Sequence, residues 1–319
     1  MSTITLNNIT KTYNKKTVLA VDDVSLSIEK GELFGLIGPD GAGKTSIFRI
    51  LTTLLLADKG TASVVGLDVV KDYHKIRGIV GYMPGRFSLY QDLTVEENLN
   101  FFATVFGTTV KENYDRIKDI YEQIEPFKDR RAGKLSGGMK QKLALCCALV
   151  HKPEVLFLDE PTTGVDVVSR KEFWEMLKRL KQKGITIMVS TSYMDEATLC
   201  DRIGLIINGK ILSMDTPDNI VKAYPDKLYA IKSPKMHQLI RDLRSYDGIL
   251  NCYASGEFIH FSFKNEEKEN ESQLKKHLQE KGQADIVLKD TTPTVEDCFI
   301  KLLGKQDGNG NSNKDKGPN

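Results

Sequence analysis

Short apolar runs alternate with helical patterns over the first two thirds of the chain. Residues 33–37 form an apolar run typical of a buried strand, and residues 46–51 follow with helical spacing. Residues 4–28 alternate apolar and polar positions, which predicts antiparallel strands at an edge. Two more apolar segments, residues 60–64 and 79–83, are bounded by glycine and proline and predict further strands.

A helical insertion is predicted after these strands. Apolar residues recur at helical spacing over residues 93–105 and 114–124. Thr94 is followed three residues later by Glu97, which is a capping-box pattern at a helix start. Another apolar helix is predicted from residue 137 onward, because apolar positions continue through Val150.

A second, smaller unit is predicted beyond the first. Its predicted elements are a strand at residues 228–231, a helix at 234–243, two strands within 249–263, a helix at 267–281, a strand at 286–288 and a helix at 295–303. Strands and helices alternate as in a small α+β domain. We therefore expect a first domain over residues 1–220, an accessory α+β domain over 226–304, and a polar tail over 305–319 that is disordered because it cannot bury apolar area.

Composition excludes some function classes. The 319 residues carry 45 basic and 43 acidic side chains, and the formal charge of +2 provides no global field for nucleic acid or an anionic membrane. We expect no nucleic acid partner. No apolar run approaches the roughly eighteen residues that span a bilayer, and the first residues lack a secretory pattern, so a cytoplasmic chain is expected. The five cysteines have neither metal nor disulfide spacing and are expected to be small buried residues.

A phosphate-binding loop stands between the first buried strand and its helix. The loop motif consists of Gly38, Pro39, Asp40, Gly41, Ala42, Gly43, Lys44 and Thr45, and Ser46 follows it. Glycines let backbone N–H groups surround phosphate oxygens, and the helix N-terminus adds its positive dipole end. Lys44 is expected to reach the β- and γ-phosphates of a nucleotide, and Thr45 to ligate Mg²⁺.

Three other features suit a nucleotide site. Tyr13 stands in a polar segment, where an exposed aromatic ring could stack on a base or simply occupy a turn. Ser136, Gly137 and Gly138 precede a helix and offer backbone donors for phosphate, although a plain helix cap explains them equally well. The apolar strand at residues 155–158 ends in Asp159 and Glu160, at the strand end where open α/β sheets bind ligands.

The order of these motifs resembles the ATP-binding-cassette (ABC) ATPase family. Four motifs agree with the family in order and spacing. They are the phosphate loop, the signature sequence from Leu135 to Gln141, the strand ending in Asp159-Glu160 and the segment from Pro161 to Asp166. The resemblance covers residues 3–219. It implies an α/β P-loop NTPase cassette with a mixed sheet, an antiparallel β edge and a helical subdomain that carries the signature, here followed by the small C-terminal α+β domain.

The resemblance also implies roles for individual residues. Tyr13 matches the aromatic that stacks on adenine, Asp159 the aspartate that supports Mg²⁺, and Glu160 the carboxylate that polarises the attacking water. Ser136, Gly137 and Gly138 would contact the ATP of a second cassette. Asp166 would couple the two sites across the dimer.

The sequence departs from the family pattern at two positions. The family usually has a glutamine where this chain has Gly85, in a loop that touches Mg²⁺ and the membrane subunit. It usually has a histidine that binds the γ-phosphate where this chain has Ser192. A hydroxyl is shorter than an imidazole and never cationic, so slow turnover at this chain's own ATP site is expected. Arg86 is a candidate replacement for the lost charge.

The sequence therefore predicts the ATP-binding and ATP-hydrolysing subunit of an export-type ABC transporter. Residues 292–299 are similar to the ending of cassettes in drug-exporter systems of the ABC-2 type. Expected partners are separate transmembrane permease subunits and a second cassette in a homodimer or heterodimer, which would hold the chain at the inner face of the cell membrane. Phe87, Leu89, Tyr90 and Leu93 suit a groove for a permease helix, or are covered core residues. Two alternatives stay open: a degenerate, ATP-binding regulatory half of a mixed dimer, and a soluble non-transport ABC ATPase.

Overall fold

The computed structural model describes residues 2–14, 16–265, 267 and 270–310, and the chain divides between Ile220 and Val221 into two compact units. The strands described in the first unit are β1 (Ser2–Tyr13), β2 (Val18–Glu29), β3 (Leu33–Ile37), β4 (Lys59–Val64), β5 (Leu67–Asp68), β6 (Val80–Met83), β7 (Val155–Asp159), β8 (Thr186–Thr191), β9 (Arg202–Ile207) and β10 (Lys210–Asp215). The helices that accompany them are α1 (Lys44–Leu51), α2 (Tyr73–Ile79), α3 (Val95–Val105), α4 (Tyr114–Tyr121), α5 (Gly137–Leu149), α6 (Val167–Gln182) and, crossing the division, α7 (Pro217–Lys222).

These strands form two sheets. The antiparallel sheet has the order β2-β1-β4-β5, as the alternating pattern of residues 4–28 predicts. The second sheet has the order β10-β9-β3-β8-β7-β6, in which only β10 runs antiparallel to its neighbour. Every residue of β3, β7 and β8 is buried, because helices or the other sheet cover both faces of these strands. The expected mixed sheet with an antiparallel edge is confirmed.

A shared core joins the two sheets and holds α1. Phe48 of α1 meets Phe157 of β7 edge to face, with ring centroids 6.0 Å apart. Both rings are fully buried in a cluster that includes Leu6, Leu26 and Phe34 from three different strands. This packing fixes the helix that follows the phosphate loop against the strand that carries the carboxylates.

The helical insertion consists of α3 and α4, which pack on α5. Thr94 caps α3 and both hydrogen bonds of the predicted capping box with Glu97 are present. Asn98 of α3 is fully buried, and its side chain amide donates to the carbonyl oxygen of Tyr90 at 3.0 Å and accepts from the Tyr90 N–H at 3.0 Å. The loop that enters α3 is thereby held in one conformation.

The second unit has the element order β-α-β-β-α-β followed by one more helix. Its elements are β11 (Leu228–Lys232), α8 (Met236–Ser245), β12 (Ile249–Ser255), β13 (Phe258–Phe263), α9 (Asn270–Glu280), β14 (Val287–Thr291) and α10 (Val295–Gly310). The antiparallel sheet has the order β12-β13-β11-β14, which is the split β-α-β arrangement of ferredoxin-like domains. Leu239, Leu243, Leu274 and Leu278 of the two crossover helices pack on Phe261 and its neighbours.

The other face of this sheet meets α10 through a buried polar network. Asp297 is fully buried, and Oδ1 of its carboxylate lies 2.7 Å from His260 Nδ1 and accepts from the Tyr253 hydroxyl at 2.9 Å. Burial acts to raise the pKa of Asp297, but hydrogen bonds from His260 and Thr294 outweigh it and lower that pKa. The network fixes the start of α10 on the sheet.

Helix α10 continues to Gly310, and residues 311–319 lie outside the described residues, so the disordered tail over 305–319 stays a prediction. One expectation needs adjustment. Cys252 is only half-buried, because its strand β12 is at the edge of the sheet, whereas the other four cysteines are buried as expected. Within the described residues, no helix has both the length and the apolar character needed to pass through a lipid bilayer.

Candidate active site

The phosphate loop connects β3 to α1 in a conformation that requires glycine. Gly43, which caps α1, has a φ of 104°, and a Cβ atom there would stand 2.2 Å from the carbonyl oxygen of Ala20. The neighbouring Gly41 has a φ of 79°. By helix geometry the first N–H groups of α1 have no partner within the helix. The loop therefore presents backbone donors to one point, which suits an anion.

Lys44 lies at the centre of this loop and is 5% exposed. Its ammonium group donates to the carbonyl oxygens of Gly38 at 2.6 Å and Pro39 at 3.0 Å. It also forms an ion pair with Glu160, with 2.8 Å between Nζ and Oε1. The structure thus brings together the lysine and the glutamate that the sequence places 116 positions apart.

Asp159 and Glu160 occupy the carboxyl end of β7, next to the end of β8. Asp159 is 2% exposed, and its Oδ1 accepts a hydrogen bond of 2.6 Å from the Ser190 hydroxyl. The Glu160 N–H in turn donates to the Ser190 hydroxyl oxygen at 3.0 Å. Glu160 itself has a φ of 52°, in the left-handed region that non-glycine residues rarely adopt. Strained backbone of this kind clusters at functional sites.

Two neighbours hold the second carboxylate oxygen of Glu160. Thr163 Oγ1 donates to Glu160 Oε2 at 3.1 Å, and the backbone N–H of Ser192 donates to the same oxygen at 3.3 Å. Ser192 therefore reaches the site through its backbone. Gly85 also borders the site, because a Cβ atom there would lie 3.1 Å from the Asp159 carbonyl oxygen.

Tyr13 is close to the phosphate loop. Its hydroxyl lies 3.0 Å from Ser46 Oγ, in the first turn of α1, and its ring is partly exposed beneath the Lys11 ammonium at 5.8 Å. The ring is in reach of a base whose phosphates lie in the loop. The role in base stacking stays a prediction.

The signature residues and Asp166 are adjacent to each other. Ser136 caps α5 by accepting from the Met139 N–H at 3.3 Å. A Cβ atom on Gly137 would lie 3.3 Å from the Gly164 carbonyl oxygen, and one on Gly138 would clash with Ser169 at 2.7 Å. Asp166 caps α6 by accepting from the Ser169 N–H at 2.9 Å, and this hydrogen bond lowers the pKa of its carboxyl group. The signature thus borders the start of α6.

The donors that could hold Mg²⁺ are hard oxygen ligands, which fit this cation. They are the Thr45 hydroxyl and the Asp159 carboxylate, and the hydrogen bond from Ser190 orients that carboxylate. Among the described residues, no group of three or more histidine, cysteine or acidic side chains could hold a metal alone. A cation here would share its coordination with substrate phosphates, which is how Mg²⁺ usually binds.

An apolar groove of about 430 Å³ lies between β6, the following loop, α3 and α5. Phe87 and Leu89 line it, together with Phe102, Val105 and Phe106. Tyr90 does not belong to this lining and meets Phe101 edge to face at 4.8 Å. Val105 is 61% exposed, so part of the groove rim is open to solvent.

His151 is the polar ring in this groove. It stacks on Phe106 with 3.8 Å between ring centroids, and its Nε2 lies 3.0 Å from the Val80 carbonyl oxygen. Since a carbonyl oxygen only accepts, Nε2 carries the hydrogen and Nδ1 is an acceptor. Nδ1 is buried with no partner among the described residues. Burial lowers the pKa of His151, which favours the neutral ring.

Sequence reasoning missed two residues of the site. Ser190 forms hydrogen bonds with both Asp159 and Glu160. Glu196 is a buried carboxylate that accepts hydrogen bonds from the hydroxyl groups of Thr162 and Thr191. Ser190 follows the apolar residues of β8, so its position at a strand end was a usable signal. Glu196 lies in a short 3₁₀ segment, Met194–Leu199, where nothing in the pattern marks a buried acid.

Comparisons with known proteins agree with one another. A family model described as ABC transporter matches residues 21–163. The probable multidrug ABC transporter ATP-binding protein YbhF of Escherichia coli (strain K12) is 39% identical over 306 residues, which cover 94% of this chain and 52% of that protein. The chain thus spans about half the length of that relative.

Two further matches cover nearly all of the relative. The Nod factor export ATP-binding protein I of Rhizobium sp. (strain N33) is 33% identical over 307 residues, 95% of this chain and 97% of that protein. A solved dimeric structure of the ATP-binding cassette MJ0796, in a post-hydrolysis state with ADP and Pi, is similar with a TM-score of 0.61 and 26% identity. The match covers 67% of this chain and 98% of the MJ0796 chain.

Proposed function

This chain belongs to the ABC transporter family of ATP-binding proteins, and from that membership we propose that it is the ATP-hydrolysing subunit of an export-type transporter. The observation that carries the proposal is the convergence of Lys44, Asp159 and Glu160 beside a glycine loop. ATP hydrolysis requires a cradle for phosphates, a positive charge at the γ-phosphate and a base for water. These three residues and the loop supply those groups.

The proposed roles follow from the contacts. Lys44 is held by two loop carbonyls, so its ammonium group is ready to neutralise the β- and γ-phosphates. Glu160 is held by Thr163 and Ser192 at one oxygen, which leaves the other to orient and deprotonate the attacking water once Lys44 binds phosphate. Thr45 and Asp159 would hold Mg²⁺, which neutralises charge that develops on the phosphate oxygens.

We also propose that the active unit is a dimer of cassettes. Ser136, Gly137 and Gly138 border the segment ending in Asp166, at the start of α6. Val167 and Val168 in the same place are 76% and 69% exposed, an apolar pair that a second cassette would cover. Each signature would then contact the nucleotide of the partner. The similar cassette MJ0796 is dimeric, which supports this arrangement.

The permease is proposed to dock at the apolar groove. A short helix of its cytoplasmic loops would bury its apolar face against Val105, Phe106 and Leu89, as helices do in grooves of this kind. The docked chain would lie at the inner face of the membrane, and an exported drug, lipid or polysaccharide would pass through the permease.

One alternative keeps a specific observation in its favour. Gly85 and Ser192 leave the site without the glutamine and histidine of the family pattern, which would suit an ATP-binding subunit that hydrolyses slowly in a mixed dimer. The intact contacts of Glu160 argue for hydrolysis. The soluble non-transport ATPase has less support, because the matched relatives are transporter and exporter ATP-binding proteins.

Co-purification with a candidate permease from the same organism tests the proposal. ATPase activity and ATP-dependent transport are measured in proteoliposomes. Val105→Asp should abolish stimulation by the permease and transport while ATPase of the isolated chain persists. Val70→Asp is the matched control, because Val70 is 57% exposed and is not part of the groove lining. Transport that survives Val105→Asp would refute the docking site, and absence of any hydrolysis would favour the regulatory alternative.

A further inference from the structure

Glu160 directly follows β7, Glu196 lies in the 3₁₀ segment after β8, and the hydrogen-bond partners of the two glutamates are neighbours along the chain. Glu196 accepts hydrogen bonds from Thr162 Oγ1 at 2.8 Å and from Thr191 Oγ1 at 2.6 Å. The next residues along the chain, Thr163 and Ser192, donate to Glu160 Oε2. Glu196 therefore connects Thr162 to Thr191. The residues that directly follow these two threonines, Thr163 and Ser192, hold Glu160.

Glu196 is deeply buried at 2% exposure, and its two threonine partners are 1% and 0% exposed. A carboxylate in such a place costs free energy unless hydrogen bonds and a cation compensate. The Arg170 guanidinium supplies the cation, with 3.8 Å between its Nε and Glu196 Oε1. Arg170 also pairs with Asp195 and covers the Tyr193 ring, so it keeps α6 beside the segment that holds Glu196.

We propose that Glu196 is a positioning residue for ATP hydrolysis. By fixing Thr162 and Thr191, it places the Thr163 hydroxyl and the Ser192 N–H so that they direct Glu160 toward the attacking water. The inference rests on the proposed function, because it assumes that Glu160 is the base. Ser192 holds Glu160 only through its backbone, so the position of that backbone, and not the side chain at 192, determines the geometry.

The same contacts imply a route between the dimer partner and the base. Thr162 lies in the segment from Pro161 to Asp166, which the proposed dimer places near the second cassette. A displacement of that segment moves Thr162 and Thr163 together. Glu196 transmits the displacement to Thr191, and hence to the Ser192 N–H. In this proposal the rate of hydrolysis depends on the position of the partner cassette. Glu196 carries that dependence although it touches neither nucleotide.

The test compares Glu196→Ala and Glu196→Gln in the full chain. Glu196→Ala should lower kcat about 10- to 100-fold, the loss expected for a misplaced catalytic group, with little change in ATP affinity. Glu196→Gln should retain most of the activity, because an amide can bond both threonine hydroxyls. Thr162→Val, which removes one of the contacts, should give an intermediate loss and serves if Glu196→Ala folds poorly.

A double-mutant cycle separates positioning from general destabilisation. In a Glu160→Gln background, Glu196→Ala should cause no further loss in the single-turnover rate, because the base that it positions is already absent. Glu32→Ala is the matched control, since Glu32 is a buried carboxylate paired with Arg202 at 3.1 Å outside this contact set. Its effect on rate should be small and independent of Glu160.

Two results would overturn the inference. Additive losses of Glu160→Gln and Glu196→Ala would show that Glu196 acts independently of the base, and an unchanged kcat in Glu196→Ala would show that it has no role in the reaction. A parent chain that binds ATP without hydrolysing it is a different outcome. That result would refute the proposed function itself and the positioning role with it.

Discussion

Lys44 and Glu160 hold each other across the site, with 2.8 Å between the ammonium nitrogen and the carboxylate oxygen Oε1. Lys44 is the charge that phosphates would bind, and Glu160 is the proposed base. Phosphate oxygens and Glu160 therefore compete for one ammonium group. Binding of ATP would release Oε1 of Glu160 toward water at the moment when the substrate arrives.

The first prediction concerns Lys44. Lys44→Ala should weaken ATP binding at least 100-fold, because it removes the point charge from a loop otherwise built of backbone dipoles. Equilibrium dialysis with labelled ATP measures the change. Lys142→Ala is the control, since Lys142 pairs with Glu172 on the helices and its loss should leave the affinity unchanged. Parental affinity in Lys44→Ala would mean that the loop does not bind phosphate.

The second prediction concerns Glu160. Glu160→Gln should retain ATP binding and lower the hydrolysis rate about 10²- to 10⁴-fold, because the amide cannot accept the proton of water. The ATP affinity of Glu160→Gln should be equal to or higher than that of the parent, because the ion pair that occupies Lys44 is lost. With ATP present, a stable dimer should appear by light scattering. Hydrolysis at the parental rate would show that another residue is the base.

The third prediction concerns Ser192. Ser192→His should raise steady-state ATPase about 10- to 100-fold, because an imidazole donor can stabilise charge at the γ-phosphate in the transition state. Ser192→Ala should stay near the parental rate, since the Glu160 contact uses the backbone N–H. Adding Gly85→Gln should give no further gain, because a Cβ atom there would lie only 3.1 Å from the Asp159 carbonyl oxygen.

If Ser192→His gives no increase, with or without the permease, the γ-phosphate has another contact in this chain. Arg86, which lines the neighbouring groove, is then the first residue to replace. The description of this site as degenerate would be withdrawn.

The fourth prediction concerns pH and His151. Burial lowers the pKa of His151 below its ordinary value of 6.5, so the unfolded chain binds more protons than the folded chain as the pH falls below that value. The free energy of unfolding should therefore fall as the pH falls from about 6.5, and the neutral ring contributes its full stabilisation above it. Urea unfolding of His151→Phe should show a weaker pH dependence between pH 7 and 5 than the parent.

The exposed His74 provides the control for this series. His74→Phe should preserve the pH dependence of the parent, because the ring is on the surface beside Tyr73. An unchanged pH dependence in His151→Phe would contradict the buried, neutral state of His151.

Local patterns in the sequence predict the elements and several of the residues that meet at the candidate site. Short continuous apolar runs bounded by turn residues favour strands covered on both faces, and every residue of β3, β7 and β8 is buried. The motif of the phosphate loop fixes its own backbone, because Gly43 tolerates no side chain. The capping box of Thr94 and Glu97 and the strand ending in Asp159 follow from local patterns in the same way.

The packing of the chain in three dimensions sets which distant groups meet. The ion pair of Lys44 with Glu160 depends on the strand order β3-β8-β7. This order brings together the two residues, which follow the carboxyl ends of the parallel strands β3 and β7. The contacts of Glu196 depend on Thr191 of β8 and on Thr162 in the turn after β7, and the burial of His151 depends in part on the stacked ring of Phe106. Contacts between residues close in sequence can be predicted from their spacing along the chain. The pKa and hydrogen bonds of a buried carboxylate or imidazole depend instead on neighbours that only packing brings together.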